Sequence, residues 1–405
     1  MLIQLAWKNL WRNKKRTIIA ASSIFFAVVL SVFMRSGQKG SFDYMIHMTV
    51  SSQTGYIQVH GKDFWDKRSL DQSIVIDSKE QKQFREIPNV TSVVPRLESF
   101  SLISFGSATK VASIIGTEPI SEDQMTRLKS KVIAGTYLDN TSDGILVAEG
   151  LARLLKISVG DSIVLFGQGY QGMTAAALLP VAGIVKFNFP AQNEKSVYLN
   201  LPTAQWLFAA PDRITSLSFM IGNIRYLKPV TGEIRSVCGD RFEIMTWEEM
   251  MPELVQMIQS KIAAASIMLM ILYLVVGFGI FATVMMFTNE RLREFGMLIS
   301  IGMRKIRLIW VTFIETIFIS FIGATAGSIV GFIIVFYGMR HPIHLTGETA
   351  EMMLSYGFEP LLTFDITPAL FTDQVVIVTI IALVSAIYPL MFIRRLKPIK
   401  ALHSL

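Results

Sequence analysis

The residues of this sequence that could carry out chemistry are few and scattered. Its five histidines include one close pair, His341 and His344, but Pro342 lies between them and disfavours a shared metal on one helix face. No H-E-x-x-H, G-x-S-x-G or G-x-x-x-x-G-K-[ST] pattern occurs, so the usual signatures of a zinc protease, a serine hydrolase and a phosphate-binding loop are missing. One cysteine excludes a cysteine-rich metal site. We therefore predict a non-catalytic chain with no metal and no cofactor of its own.

Glu315 is the one carboxylate inside a long apolar stretch, residues 308–337. It lies about seven residues into that stretch, or about 10 Å at the rise of an α-helix. Such a carboxylate is costly in a membrane and usually faces protein. It could serve as a proton or ion site, or it could form a hydrogen bond between helices. We favour the hydrogen bond, with Arg304, Lys305 or Arg307 as the expected partner.

Composition places the chain in a membrane. Apolar residues make up 51% of its 405 residues and charged residues only 17%. A soluble globular protein carries about 25% charged residues, so this chain has too few to cover a water-facing surface. Four stretches offer the roughly 20 apolar residues that a membrane helix needs. They are residues 17–34, 262–287, 308–337 and 375–393.

The distribution of Lys and Arg predicts the orientation of these spans. Residues 1–16, 288–307 and 394–405 hold fourteen basic and two acidic side chains, whereas the net charge of the whole chain is only +7. Basic loops face the cytoplasm, so both termini and the 288–307 loop are predicted to be cytoplasmic. Residues 35–261 and 338–374 are then exterior. The excess of basic over acidic residues reflects membrane topology and does not indicate a nucleic-acid partner.

Residues 35–261 are predicted to form a large α+β domain between the first and second spans. Strand–helix–strand patterns occur at both of its ends, at 56–59, 78–87 and 90–95 and at 216–221, 226–237 and 242–246. A β-rich insert separates these two halves. Within it, residues 167–179 join two strands, and we interpret them as a long hairpin tip or as a docking element for an exterior partner.

The loop at 288–307 carries the strongest functional signal. Its charged start leads into a short amphipathic segment, and Gly302 breaks that segment before the next span. Phe295, Leu298, Ile299 and Met303 form its apolar face. A plain basic linker needs no such face, so we favour a short helix that docks into a groove on a soluble protein.

Small and aromatic residues in the spans suggest packing surfaces. Gly323, Gly327 and Gly331 recur every four residues, which permits close helix contact within the protomer or at a dimer seam. Any lipid-binding cavity between two protomers has four candidate lining residues in the first span, namely Phe25, Phe26, Val29 and Phe33.

Two sets of motifs carry a resemblance to known families. The run ERLREFGMLISIG at 290–302, Glu315, and the C-terminal Tyr388-Pro389 with RRLKPIKAL at 394–402 resemble the FtsX-like permease domain. The run ILVAEGLARLLKISVGD at 145–161, with VAGIV at 181–185, is similar to the periplasmic core domain of MacB-type exporters. MacB proteins carry an ATPase ahead of the first span. This chain starts 16 residues before that span, so we expect it to be closer to the stand-alone LolC/LolE-type lipoprotein-releasing permeases.

The resemblance implies a multi-pass permease subunit of an ABC transporter in the bacterial inner membrane, working by mechanotransmission. Two permeases, as a homodimer or a heterodimer, would assemble with a dimer of separate ATPase subunits that bind ATP and Mg²⁺. Residues 290–303 would be the coupling helix. Its implied ATPase contacts are Glu290, Arg291, Arg293 and Glu294, together with the apolar Phe295 and Leu298. Residues 1–16, an expected interfacial amphipathic helix, would anchor the chain or touch the ATPase.

The implied task is extraction of lipoproteins from the inner membrane, with transfer to a periplasmic carrier. One alternative is a MacB-like exporter that passes periplasmic peptides or small molecules through an adaptor into an outer-membrane duct. Another is an FtsX-like activator of a cell-wall hydrolase. Membrane lipid is an expected partner in each case.

Overall fold

The computed structural model describes residues 2–12, 14–139 and 144–395, and the fold is given for these. Its α-helices, in chain order, are α1 (Leu2–Arg12), α2 (Lys14–Ser52), α3 (Phe64–Lys67), α4 (Ser78–Glu86), α5 (Pro119–Thr126), α6 (Glu149–Leu155), α7 (Pro190–Asn193), α8 (Leu201–Leu207), α9 (Leu227–Cys238), α10 (Trp247–Met250), α11 (Pro252–Glu290), α12 (Leu292–Ser300), α13 (Lys305–Arg340), α14 (Glu348–Ser355), α15 (Pro368–Ser385) and α16 (Ile387–Arg395).

The strands, in the same order, are β1 (Ile57–His60), β2 (Val90–Phe105), β3 (Ala108–Thr117), β4 (Val132–Gly135), β5 (Ile145–Ala148), β6 (Ser162–Gln168), β7 (Thr174–Val185), β8 (Ser196–Asn200), β9 (Ser216–Ile221), β10 (Glu243–Thr246), β11 (Ile343–His344) and β12 (Leu361–Leu362). β11 and β12 pair with each other, and the first ten strands form one sheet. The predicted α+β domain between the first two spans is confirmed.

The chain forms two compact units. We call the first the helical unit, which comprises Met1–Tyr44, Ile258–His344 and Leu361–Leu405 as far as these residues are described. The second, the sheet unit, comprises Met45–Met257 and Leu345–Pro360.

Four stretches of helix are long and apolar enough to cross a membrane, as predicted: Thr17–Ser52, Pro252–Glu290, Lys305–Arg340 and Pro368–Arg395. Each contains one predicted span and is longer than it. Hydropathy detects the apolar part of a helix, whereas polar and charged residues such as those at 35–52 continue the helix without being apolar. The last stretch contains α15 and α16, which are separated at Ala386.

In the sheet unit, the long strand β2 belongs to two substructures. Its first half joins the order β10-β1-β9-β2, so the strands from both ends of the domain lie side by side. Helices α4 and α9 pack with these strands, and Phe84 of α4 contacts Phe219 of β9 with ring centroids 5.4 Å apart. The two predicted strand–helix–strand halves therefore interleave in one sheet.

The second half of β2 closes a ring of six strands. β2 pairs with β3, β3 with β8, β8 with β5, β5 with β7, β7 with β6, and β6 returns to β2. Inward-facing residues such as Ile103, Ile163 and Leu165 fill the ring and form the largest hydrophobic core of the unit. This ring is the predicted β-rich insert.

The prediction of a long connection at 167–179 is wrong for most of that segment. β7 begins at Thr174, so only residues 169–173 connect the strands. Their backbone is fixed, since the Gly169 amide donates to the Met173 carbonyl at 2.6 Å and the Gln171 amide donates to Asp71 Oδ1 at 2.9 Å. The run of alanines has weak strand propensity, and pairing with β6 overrides it.

In the helical unit, α2, α11, α13 and α15 share one apolar core. It includes Ile24, Val28, Ile280, Ala324 and Val378. The segment between α13 and α15, predicted only as an exterior loop at 338–374, contains the β11–β12 hairpin and α14.

Candidate functional site

Helix α12 lies in the loop between the second and third spans, where the docking helix was predicted. Arg291 precedes its first turn, and the helix ends at Ser300, two residues before Gly302 at φ +104°. A left-handed φ suits glycine, so this residue permits the sharp exit from the helix. The sequence folds here as a short amphipathic helix.

The apolar face of α12 points into the protein. Phe295 is 1% exposed and packs in a small core with Leu308 of α13 and Ile393 of α16. Leu298 and Ile299 are partly buried against the same core. Phe295 therefore does not lie on a surface open to an ATPase, and Leu298 is only partly accessible. From the sequence alone, one cannot tell whether the apolar face of a short helix packs against its own chain or against a partner protein.

The opposite face of α12 is exposed and includes Arg293, Met297 and Ile301 at intervals of four residues. Met297 is 53% exposed and Ile301, directly after the helix, is 78% exposed. Sequence reasoning missed these two apolar residues. The available signal was the spacing, since Met297 follows Arg293 by four residues and Ile301 follows it by eight, which places all three on one side of a helix. Glu290, just before α12, is also exposed.

Glu315 anchors a polar network behind α12. Its side chain, 5% exposed, accepts hydrogen bonds from Arg291 Nη1, from Arg291 Nη2 at 3.3 Å and from Asn9 Nδ2 of α1 at 2.8 Å. The predicted partners Arg304, Lys305 and Arg307 are wrong. Arg304 precedes α13 by one residue and stands eleven residues from Glu315, or about 16 Å along the helix axis.

Arg291 is therefore turned inward, contrary to its predicted contact with an ATPase. Its side chain also approaches Glu294, with Nε 3.4 Å from Oε2, and Arg12 Nη2 of α1 donates to the same oxygen at 3.2 Å. Trp7 of α1 adds an edge-to-face contact with Phe318 of α13, with ring centroids 5.5 Å apart. The network and this contact tie α1, α12 and α13 together.

A small cavity of about 80 Å³ adjoins the ion pair. Arg291, Glu315, Thr288 and Thr312 contribute polar groups to its wall. Among the described residues, no group of three or more His, Cys, Asp or Glu side chains converges on a metal-sized site. The arrangement holds a carboxylate and a guanidinium as a hydrogen-bonded pair.

The three glycines of α13 pack against α2 of the same chain. A Cβ added at Gly323 would lie 2.6 Å from the Ala21 carbonyl oxygen, and one added at Gly327 would lie 2.8 Å from the Phe25 oxygen. At Gly331 the nearest atom, Val32 Cγ1, would be 3.2 Å away. The glycines thus permit close approach of the first and third spans within the protomer.

The four candidate cavity residues of α2 are not brought together around one space. Phe33 packs against Phe364, with ring centroids 5.1 Å apart, whereas Phe26 is 67% exposed and contacts Phe25. Phe25 and Val29 are partly buried, and the backbone of each approaches the glycines of α13. These four side chains lie within about two and a half turns of one helix and point in several directions, which the residue types alone do not show.

A larger apolar groove lies elsewhere in the helical unit, between α11 and the α15–α16 pair. Its volume is about 710 Å³. Residues on α11 include Tyr273, Gly277 and Phe278, and residues on the other wall include Ile380 and Tyr388. The sequence did not reveal this groove, because its two walls are about 100 residues apart in the chain.

Residues 396–405, which include the C-terminal motif from residue 396 to 402, lie outside the described residues, as do Asn13 and Met1 at the predicted amphipathic N-terminus. Tyr388 and Pro389 lie in α16.

Comparison with family models supports both halves of the resemblance. The MacB-like periplasmic core domain matches residues 17–234, which is more than half of the chain. The model described as FtsX-like permease C-terminal matches residues 266–398.

Individual relatives are distant. The lipoprotein-releasing system transmembrane protein LolC of Xylella fastidiosa is 21% identical over 329 residues, which cover 78% of this chain and 78% of LolC. The macrolide export ATP-binding/permease protein MacB of Bartonella quintana is 23% identical over 384 residues, covering 88% of this chain and 56% of MacB. The solved periplasmic region of MacB from Actinobacillus actinomycetemcomitans is 17% identical with a TM-score of 0.34, over 47% of this chain and 87% of that one.

Along the chain, the large α+β domain lies between the first two spans, and the partly exposed helix α12 lies between the second and third. The two family models match in the corresponding order. The chain therefore belongs to the ABC-transporter permeases that combine a MacB-like periplasmic core domain with an FtsX-like C-terminal permease domain, the LolC and MacB type.

Proposed function

We propose that this permease extracts lipoproteins from the bacterial inner membrane and passes them to a periplasmic carrier. It acts as the non-catalytic membrane subunit of a mechanotransmission ABC transporter. Two permeases assemble with two copies of a separate ATPase, which holds ATP and Mg²⁺. Both termini and α12 face the cytoplasm.

The apolar groove between α11 and α15–α16 carries the assignment of a lipid-linked cargo. Its wall is built largely of aromatic and aliphatic side chains, and its volume is about 710 Å³. Pockets for ligands of moderate size fall between about 300 and 1,000 Å³. Because an acyl chain in the bilayer is already out of water, its preference for this groove would come from van der Waals contact with the wall.

The exposed face of α12 supports the ATPase contact. Met297 and Ile301 would enter an apolar groove on the ATPase, and Arg293 would form a polar contact at its edge. The inner face is held by Phe295 and by the Arg291–Glu315 pair. A push on α12 is therefore delivered to α13 through packed side chains and an ion pair.

Helices α2 and α11 offer a route for mechanical transmission. Each has 39 residues, or a length of about 58 Å. This is about twice the 30 Å thickness of the bilayer hydrocarbon. Each contributes residues to both the helical and the sheet unit, so a displacement along either helix needs no intervening loop to reach the exterior domain.

The test uses two glycines of the same helix. Gly277 lines the groove, and a Cβ there would lie 3.4 Å from Ile381 Cγ2, whereas a Cβ at Gly279 would meet no atom within 4 Å. Three full-length tagged proteins are compared: the wild type, Gly277→Phe and Gly279→Phe. Each is purified from native membranes in mild detergent. Co-purified proteins are then quantified by mass spectrometry.

We expect a separate ABC ATPase and acylated lipoproteins with the wild type and with Gly279→Phe. Gly277→Phe should retain the ATPase and lose most of the lipoprotein, because the phenyl ring occupies the groove. Recovery of an ATPase with a membrane-fusion adaptor and no acylated cargo would instead identify a MacB-like exporter. Recovery of a cell-wall hydrolase would identify an FtsX-like activator.

A further inference from the structure

The ring of six strands in the sheet unit carries an exposed apolar surface on its outer side. Residues along a strand alternate between the two faces, so the neighbours of the inward-facing Ile103, Ile163 and Leu165 point outward. Five of the outward side chains are large, apolar and between 42% and 59% exposed. We call them the outer patch: Phe100 and Leu102 of β2, Val111 of β3, and Val164 and Phe166 of β6.

The strand register makes the outer patch continuous. Leu102 lies opposite Val111 on one neighbouring strand and opposite Phe166 on the other. Side chains that face each other across paired strands have Cβ atoms about 4.5–5.5 Å apart, so these three touch as a row. Phe100 and Val164 each lie two residues from a member of that row on the same strand, and they extend the surface on either side of it.

The outer patch has neither charge nor a small size to explain its exposure. The other outward positions of these strand segments hold only uncharged polar residues, namely Ser104, Thr109, Ser113, Ser162 and Gln168. The exposed fractions of the five apolar side chains correspond to roughly 400 Å² of apolar surface. Contiguous apolar patches of several hundred Å² on a folded protein mark interaction sites.

The strands of the patch restrict how a partner can bind. β2 pairs with both β3 and β6, and β6 pairs with both β2 and β7. Their backbone N–H and C=O groups are therefore used within the ring, so a partner cannot add a strand between them. It must pack its side chains against the face of the sheet, as two sheets do when they lie about 10 Å apart.

The lack of charge favours a second copy of this chain as that partner. Charged residues give an interface its discrimination between different proteins, and the outer patch has none. In a two-fold contact between identical copies, residues near the axis meet their own images, so any charge there would repel itself. An uncharged apolar face meets this condition.

The area also fits a pair of copies. Two patches packed together bury roughly 800 Å² of apolar surface, and about 60% of an interface is apolar. The complete interface would then measure roughly 1,300 Å², which lies within the range of about 1,200–2,000 Å² for specific protein contacts.

We propose that the outer patch joins the sheet units of two copies of this permease, sheet face against sheet face. The inference rests on the pairing of two permeases in the proposed function. It adds the surface that joins the sheet units and the identity of the second permease as a copy of this chain. Because the ATPase dimer already holds two permeases together, their sheet units meet at a high effective concentration, and an interface of this size is sufficient.

The test is thiol cross-linking of the full-length protein in native membranes with a bismaleimide that spans about 10 Å, the distance between packed sheets. The native Cys238 is buried, and burial raises its pKa to about 11, so the wild type provides an unreactive background. Leu102→Cys and Phe166→Cys place a thiol in the patch. Leu154→Cys and Ile120→Cys are controls, since both residues are exposed in the sheet unit outside the patch.

We expect at least roughly tenfold more covalent dimer from each patch cysteine than from either control, because the interface holds the two thiols at a high effective concentration. Labelling with a single maleimide verifies that all four thiols are accessible, and melting temperatures verify that the variants are folded. Adding Val111→Glu to Phe166→Cys should reduce the covalent dimer to the control level, because it places like charges in the contact.

The outcomes separate this inference from the proposed function. If two differently tagged copies co-purify but the patch cysteines give no more covalent dimer than the controls, the outer patch is overturned and the proposed function stands. Cross-linking of the patch to a different protein, identified by mass spectrometry, would overturn the second copy as the occupant. Covalent dimer at the patch without co-purified lipoprotein would support the patch and contradict the proposed function.

Discussion

Among the residues that the structure describes, two nearly buried Arg–Glu pairs occur, one in each unit. In the sheet unit, Arg96 and Glu122 are 2% and 0% exposed, and Thr117 Oγ1 also donates to the carboxylate at 3.1 Å. In the helical unit, Arg291 and Glu315 form a pair of the same chemistry, but Arg291 lies between two helices, α11 and α12, and a cavity adjoins the pair.

The difference shows how one kind of interaction can serve two purposes. Arg96–Glu122 joins β2 to α5 inside one folded unit, and both side chains are satisfied from several directions. It fixes the fold. Arg291–Glu315 joins the start of α12 to the third span, so under the proposed function it would carry movement of α12 to α13. The first pair should govern stability and the second should govern coupling.

Glu122→Gln should have the largest effect on stability. It leaves the Arg96 charge buried without its counterion, and breaking a buried pair in this way costs about 3–5 kcal/mol. In the native protein, burial alone would lower the pKa of Arg96, but the Glu122 carboxylate outweighs this and raises that pKa. We expect a marked fall in melting temperature and in folded yield of the full-length protein in detergent.

Glu98→Gln is the matched control for this change. Its carboxylate lies 3.6 Å from the same guanidinium but is 23% exposed. We expect a loss of less than about 1 kcal/mol. Equal losses in the two variants would contradict the structural role assigned to Arg96–Glu122.

Glu315→Gln should lower stability less, by about 1–3 kcal/mol, because the amide can still accept from Asn9 and Arg291 through one oxygen. Its main effect should be on function. Stimulation of the partner ATPase by cargo should fall while the ATPase remains bound, as measured on the reconstituted complex.

Arg291→Gln should give the same loss of stimulation, and the double variant should be no worse than either single one. Additive losses would show that the two residues act separately. Glu86→Gln, which removes an exposed contact with Lys82 in the sheet unit, is the control and should retain stimulation.

The smallest predicted effect concerns a partly exposed pair in the helical unit. Lys39 of α2 contacts Asp365, and Thr367 also donates to that carboxylate. Partial burial would raise the pKa of Asp365, but the bonds from Lys39 and Thr367 outweigh it and lower the pKa below the ordinary value of 3.8. The stabilisation is therefore complete above pH 3.8 and is lost as the pH falls below that value.

Asp365→Asn should lower the melting temperature at pH 7 by the equivalent of at most about 1 kcal/mol, and the difference from wild type should shrink progressively as the pH falls below 3.8. Asp43→Asn removes a more exposed carboxylate that contacts the same lysine at 3.3 Å, and it should cost less at pH 7. A difference that persists unchanged at pH 3 would contradict the proposed ion pair.

The architecture could be predicted because its signals are local. Apolar stretches of more than 17 residues mark the four spans, and alternating strand patterns mark the inserted domain. Even the helix in the 288–307 loop follows from its apolar periodicity and from Gly302. These features depend on residues close together in the chain.

The site was predicted less well because it depends on distant partners. Phe295 and Arg291 look like surface residues until Ile393 and Glu315 are placed beside them. The partner of Glu315 is 24 residues away in the chain, on the far side of α12, and the nearer basic residues cannot reach it. The exposed residues Met297 and Ile301 become a candidate contact only after the inner face of α12 is known.

The central claim is that α12 uses its inner face to hold the third span and its outer face to bind the ATPase. It is tested most directly by the amount of ATPase that co-purifies with full-length Ile301→Glu. Leu178→Glu, an equally polar change at an exposed apolar residue of β7, is the control. We predict at least a roughly tenfold loss of bound ATPase for Ile301→Glu, with unchanged melting temperature and no loss for Leu178→Glu. Wild-type amounts of ATPase on folded Ile301→Glu would contradict the account.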